Sequence, residues 1–145
     1  MNFKTLSSIE SLSLDIDSVA AIIAKIQTDT GEIPWSENGH TDPWDHVESI
    51  MGLTIGGYIN EARAGFEWMI KNQLDDGAWY ASYRKGVPED KTLDTNMSSY
   101  IAVGAFHHYL ITHDTEYLKM MWPMVKAAIE YALSLQAPGG EIYWA

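Results

Sequence analysis

Apolar positions recur at helical spacing along most of the chain, and turn residues mark the breaks. Val19, Ile22, Ile23 and Ile26 stand at i, i+3, i+4 and i+7, which predicts a first helix capped by Asp15 or Asp17. It should end near Asp29, with Gly31 supplying the turn. Residues 31–43 read as a loop that ends in a helix start: Asp42 as cap, Pro43 at the first helical position, Asp45 three residues after the cap. Trp44, Val47, Ile50, Met51 and Ile55 form the expected buried face of helix two, and Gly56-Gly57 ends it. Asn60 or Glu61 opens helix three, with Ala62, Phe66, Met69 and Ile70 on one side, and Asp75-Asp76-Gly77 follows as a turn. Residues 77–93 read as a second long loop. Thr95 or Asn96 caps helix four, which runs through Tyr100, Val103, Phe106, His107 and Leu110 to about Thr112. Asp114 caps helix five, where Pro123 predicts a break or kink with a fresh helical start, before the helix continues to Gln136. No segment alternates over a strand's length, so no strand is expected.

A short pattern closes three of the apolar segments: Gln27-Thr-Asp-Thr-Gly31-Glu-Ile-Pro-Trp35, Gln73-Leu-Asp-Asp-Gly77-Ala-Trp79, and Gln136-Ala-Pro-Gly-Gly140-Glu-Ile-Tyr-Trp144. Such repetition is the mark of stacked supersecondary units. Short links at 56–60 and 113–114 alternate with the long aromatic loops, which predicts helical hairpins with the long loops gathered on one rim.

The expected fold is therefore all-α: antiparallel helical hairpins in a single domain, or a fragment of one, over 1–145, with 1–13 as a loosely ordered leader. The third repeat loop has barely begun when the chain stops. A missing remainder or self-association is expected to cover the end helices.

Composition narrows the partners. Nine Lys+Arg against 20 Asp+Glu give a net charge of -11, which argues against nucleic acid and anionic membrane surfaces. With no Cys, disulfides and thiolate metal sites are excluded. The start lacks a signal peptide's basic and apolar regions, and no apolar run is long enough to span a membrane, so a cytoplasmic protein is expected. No His-Glu-x-x-His or comparable ligand spacing occurs, and phosphate-loop, dinucleotide and Gly-x-Ser-x-Gly motifs are lacking too. No metal or cofactor is expected.

The Gln-x-x-x-Gly-x-Trp pattern resembles the Gln-Trp repeats of terpene-cyclase and prenyltransferase toroids. The stretches Asp42-Pro-Trp-Asp-His-Val-Glu48, Glu61-Ala-Arg, Trp68 to Trp79, and Asp94-Thr-Asn96 through His107-His108-Tyr-Leu-Ile-Thr are similar to bacterial prenyltransferase-like proteins. Glu116-Tyr-Leu-x-x-x-Trp122-Pro-x-Val-x-x-Ala-Ile-x-Tyr131 is similar to a helix of six-hairpin glycosidases. Together these cover nearly everything from about residue 15 and imply an (α/α) toroid, here an incomplete ring. Such a fold hosts unrelated chemistries. The Asp-x-Asp-Asp acid motif of class II cyclases is replaced by Asp15-Ile-Asp17-Ser18, which reads better as a helix cap, and the zinc-binding Cys of protein prenyltransferases has no counterpart.

Asp42, Asp45, His46 and Glu48 form the densest polar cluster. Asp45 and Glu48 share a helix face and suit an acid/base pair for glycoside hydrolysis; equally, acids in a first helical turn are favoured by its unpaired amides. Trp35, Trp79, Tyr80, Tyr83 and Trp144 on the long-loop rim suit stacking on sugar rings, or else packing between hairpins. Asp94 and Asn96 are substrate contacts or caps. Of His107 and His108 one lines the pocket, and His107 is the candidate. The leading expectation is a carbohydrate-active protein like the six-hairpin glycosidases, with Asp45 and Glu48 catalytic and Trp35, His46, Trp79, Tyr80, Asp94, Asn96, His107 and Trp144 binding the glycan. The alternatives are an isoprenoid-handling toroid, which would need a diphosphate site that Arg84, Lys85 and Lys91 hardly supply, and a non-catalytic scaffold for a protein partner.

Overall fold

The computed structural model describes residues 15–144, so the leader expected over 1–13 lies outside the described residues. The elements are α1 (Ile16–Ile26), α2 (Pro43–Ile55), α3 (Ile59–Asn72), β1 (Tyr80–Arg84), β2 (Val87–Leu93), α4 (Thr95–Ser99), α5 (Ile101–Thr112) and α6 (Thr115–Ser134).

Helix α2 is the centre. Its start follows the residues: the Asp42 side chain accepts from the Asp45 amide, and Pro43 occupies the first turn, where no N–H is needed. Val47, Ile50 and Leu53 are fully buried, packed with Phe66 and Met69 of α3, Ile101 and Ala105 of α5, and Met121 and Ala128 of α6. Asp15 caps α1 and Asp114 caps α6 in the same way. Asp114 also holds Arg63 of α3 at 2.6 Å.

The three Gln–Gly segments fold alike. The Gln side-chain amide donates to the Gly carbonyl at 3.0, 2.9 and 2.7 Å for Gln27, Gln73 and Gln136. Each Gly has a left-handed φ, +88° at Gly31 and +95° at Gly77 and Gly140, and its amide closes a turn onto Thr28, Leu74 or Ala137. In the first two copies the same Gln amide also reaches a second helix, at Glu61 O in α3 (2.9 Å) and Met124 O in α6 (3.0 Å). The segment is thus a clip that joins the end of one helix to the flank of another.

The structure corrects several expectations. The domain is a mixed α/β unit and not the expected all-α toroid, because part of the loop expected over 77–93 is an antiparallel ribbon, β1 paired with β2. Lys85 and Gly86 both take positive φ (51° and 73°), the backbone of a two-residue turn that matches strand twist. Tyr80 and Tyr83 supply β-formers, and Pro88 is tolerated because a two-stranded ribbon has only edges. Helix four divides at Tyr100 into α4 and α5, and its cap is Asp94, whose side chain accepts from the Asn96 and Met97 amides. No fresh start occurs at Pro123: α6 is continuous. Pro123 and Lys119 both face solvent, so water can satisfy the Lys119 carbonyl that Pro123 leaves unbonded. In α1 the core-facing side is Ala20, Ile23 and Ala24, while Val19 and Ile22 are exposed.

Candidate functional site

Three of the expected site residues, Asp45, Glu48 and Trp35, share one depression. With Ile22, Ile26 and Pro34 they border an open groove of about 490 Å³ between α1, the loop after it and the first turns of α2. The cap geometry builds it. Asp42 is nearly buried; one oxygen takes the Asp45 amide at 3.0 Å and the other takes the Trp35 indole N–H at 2.5 Å. His40 lies against the same indole, ring centroids 4.4 Å apart. Trp35 is thereby anchored while remaining 61% exposed, and it also borders a second depression of about 770 Å³.

Within this groove the environment of Asp45 is the one that shifts a carboxyl most. Burial, the Asp42 carboxylate, a hydrogen bond with Asp42 and the nearby Glu48 push its carboxyl up to about 6, against a smaller opposing effect of His40. Paired carboxyls in a partly buried site titrate apart, and the one with the raised pKa keeps its proton to higher pH, as a proton donor requires. Glu48, one turn on, presents a fixed oxygen: its Oε1 accepts from Trp44 Nε1 at 2.9 Å and from the Tyr100 hydroxyl at 3.2 Å. Trp44 and Tyr100 themselves stack face to face, 3.9 Å between centroids and 8° from parallel. The sequence reading placed Trp44 on a buried face and Tyr100 within a helical stripe. Their one available signal was an aromatic directly before Asp45.

The other candidates lie elsewhere. His46 is fully buried; Nδ1 accepts from the Ile33 amide at 3.2 Å and Nε2–H donates to the Gly65 carbonyl at 3.0 Å. It ties the loop to α2 and α3, and both nitrogens are occupied. Trp79 is also fully buried, its indole donating to Met69 O at 2.9 Å, so it is core and not a stacking platform. Asp94 is the α4 cap. Tyr80 is half-buried on the ribbon, with Lys91 over its ring. Asn96 and Trp144 border a separate small recess, where the Trp144 carbonyl accepts from the Thr95 amide. His107 is half-buried on α5, and burial lowers its affinity for a proton. Arg84 is committed to Glu89 in the ribbon. Among the described residues no helix is long and apolar enough to cross a membrane.

The His46 environment carries a stability prediction. Burial depresses its pKa from 6.5 to about 4. The folded state keeps the ring neutral while the unfolded chain protonates, so this contribution is complete above pH 6.5 and is lost as pH falls toward 4. The loss amounts to about 3 kcal/mol. Urea unfolding at pH 7.5 and 4.5 measures it. His46→Gln, which takes no proton, should be less stable at pH 7.5 but show a flatter fall with acid.

No family model matches the chain. It is 48% identical over 126 residues to a protein of Mycolicibacterium hassiacum named MMP endo-(1,4)-3-O-methyl-alpha-D-mannosidase. The match takes in 87% of this chain but 35% of that protein, so the chain spans about a third of the length of the curated relative it matches. The relative is a glycosidase by name, which agrees with the glycosidase resemblance; nothing in the comparison supports the prenyltransferase alternative.

Proposed function

We propose that this chain belongs to a glycoside hydrolase that cleaves within an α-1,4-linked mannan carrying 3-O-methyl groups. The observation that carries the reading is Asp45: a carboxyl raised to about 6 on a groove bordered by Trp35, Ile22 and Pro34. Protonated Asp45 donates to the glycosidic oxygen as the bond to the anomeric carbon breaks. Glu48, the second carboxylate on the groove, takes the proton of the attacking water. An open groove suits an internal stretch of polymer. Its apolar wall suits a methylated sugar, which offers one hydroxyl fewer and one methyl more than its parent. Similarity to the named mannosidase supports the same substrate class.

The reading is tested with 3-O-methylated and unmethylated α-1,4-mannooligosaccharides, product sizes followed by mass spectrometry. Internal cleavage of the methylated series is expected, with slower cleavage of the unmethylated one. Glu48→Gln should remove turnover and spare binding. Full turnover in that variant would take Glu48 out of the base role, and attack only at chain ends would reject internal cleavage.

A further inference from the structure

The clip occurs three times, and two copies are seated on a helix. In the first, Gln27 bonds the Glu61 carbonyl, and Gly31 lies so close to α3 that a Cβ there would fall 2.1 Å from the Ala64 carbonyl oxygen. In the second, Gln73 bonds the Met124 carbonyl, and a Cβ on Gly77 would fall 2.3 Å from the Ala127 carbonyl oxygen. Both clips thus recognise one surface: an acceptor carbonyl, Ala three residues later, then Gly65 or Ala128. The helices that carry it resemble each other as Arg63-Ala-Gly-Phe-Glu-Trp68 and Lys126-Ala-Ala-Ile-Glu-Tyr131.

The third clip has the same internal geometry and no seat. Gln136 bonds its own Gly140 at 2.7 Å, φ at Gly140 is again +95°, and a Cβ there would meet nothing closer than the Gln136 amide nitrogen at 3.9 Å. Two residues after the Gly, Ile33 and Trp79 are 4% and 0% exposed in the seated copies, but Ile142 is 39% exposed. Tyr143 and Trp144 beside it are 66% and 70% exposed.

We propose that the third clip is a docking site for a helix of the α3 and α6 kind, supplied by polypeptide beyond this chain: a helical backbone carbonyl open to a second donor, with Ala three residues on and Ala or Gly at the fourth. A second copy is a poorer occupant. Its α3 and α6 surfaces are already covered by its own clips, and in α1 the match to this pattern, Asp17 with Ala20 and Ala21, has Ala20 buried against Gly56. The mannosidase relative, of which this chain spans 35%, carries further polypeptide as a source of such a helix. The inference stands on the clips alone and does not depend on the hydrolase reading.

The probe is a fluorescein-labelled peptide of residues 115–134 made helical by a lactam between Lys126 and Glu130, a pair that stays exposed when the second clip is seated. Fluorescence anisotropy with the whole chain should show saturable binding. Gln136→Ala and Gly140→Val should each weaken it tenfold or more while the chain stays folded at the assay temperature, and Ala127→Leu in the peptide should abolish it. No saturation at millimolar protein, or binding indifferent to both clip variants, would overturn the proposal. So would a concentration-dependent dimer that Gly140→Val dissolves, since the site would then belong to a second copy.

Discussion

Replacing Asp45 with Asn should lower hydrolysis of 3-O-methylated α-1,4-mannan by about three orders of magnitude, the range expected for loss of a positioned general acid. Asn keeps the size of the side chain and the Asp42–amide cap that starts α2, because that cap uses the backbone of residue 45. KM should therefore change little, and kcat should carry the loss. The pH profile gives a second readout. A carboxyl with pKa of about 6 loses its proton as pH rises, so wild-type turnover should fall through that region, and the Asn variant should lack this limb. The stability response has the opposite direction. A raised carboxyl pKa means that the folded state favours the protonated form, so Asp45 costs stability as pH rises through about 4 to 6. Partial exposure screens the effect to a fraction of a kcal/mol. Asp45→Asn should thus be no less stable than wild type at pH 8. Loss of activity without loss of stability separates a proton donor from a residue that merely starts a helix.

Gly77→Ala should destabilise the domain by about 3 kcal/mol or more, the sum of left-handed backbone strain and a methyl forced against a carbonyl. The contact would be 2.3 Å from the Ala127 carbonyl oxygen, and backbone in the middle of α6 has no small adjustment to make. Relieving it means parting α3's end from α6 and losing the Gln73–Met124 hydrogen bond as well. Gly140→Ala carries the backbone strain alone and should cost about 1 kcal/mol. Urea unfolding of the two variants gives the comparison. Equal losses would show that only φ matters and that the clips do not hold helices together.

Much of this was legible where a residue has one physical job. Asp42-Pro43 and Asp114 announced helix starts because a side-chain acceptor and a fixed φ act within one turn of chain. The Gln–Gly pairs were legible as repeats for a similar reason, since their hydrogen bond spans four residues. What they clip was not, because Ala64 and Ala127 look like any helix-forming alanine. The repeat also misled. Trp35 and Trp144 follow their glycines by four residues and are exposed, whereas Trp79 follows by two, sits where Ile33 and Ile142 sit, and fills the core. The ribbon was hidden because β2, Val87-Pro-Glu-Asp-Lys-Thr-Leu93, has little core to face and so no alternation to display. Helix α1 showed an apolar stripe whose outer members Val19 and Ile22 are exposed, Ile22 as part of the groove wall. His46 was expected to bind the glycan because it falls in the polar cluster with Asp45, but adjacent residues on a helix point about 100° apart, and this one points into the core. Spacing alone put Asp45 and Glu48 on one helix face; that Asp45 is shifted, and that Trp44 and Tyr100 hold Glu48, required the fold.

The most direct test of the groove is chemical-shift mapping by NMR on the isotope-labelled chain titrated with a 3-O-methylated α-1,4-mannooligosaccharide. Saturable shifts are expected at the Trp35 indole N–H, the Ile22 and Ile26 methyls and the Asp45 carboxyl, with Trp144 and Asn96 still. Shifts confined to the Trp144 recess, or none at the Trp35–Asp45 groove at saturating sugar, would contradict the assignment of this groove as the glycan site.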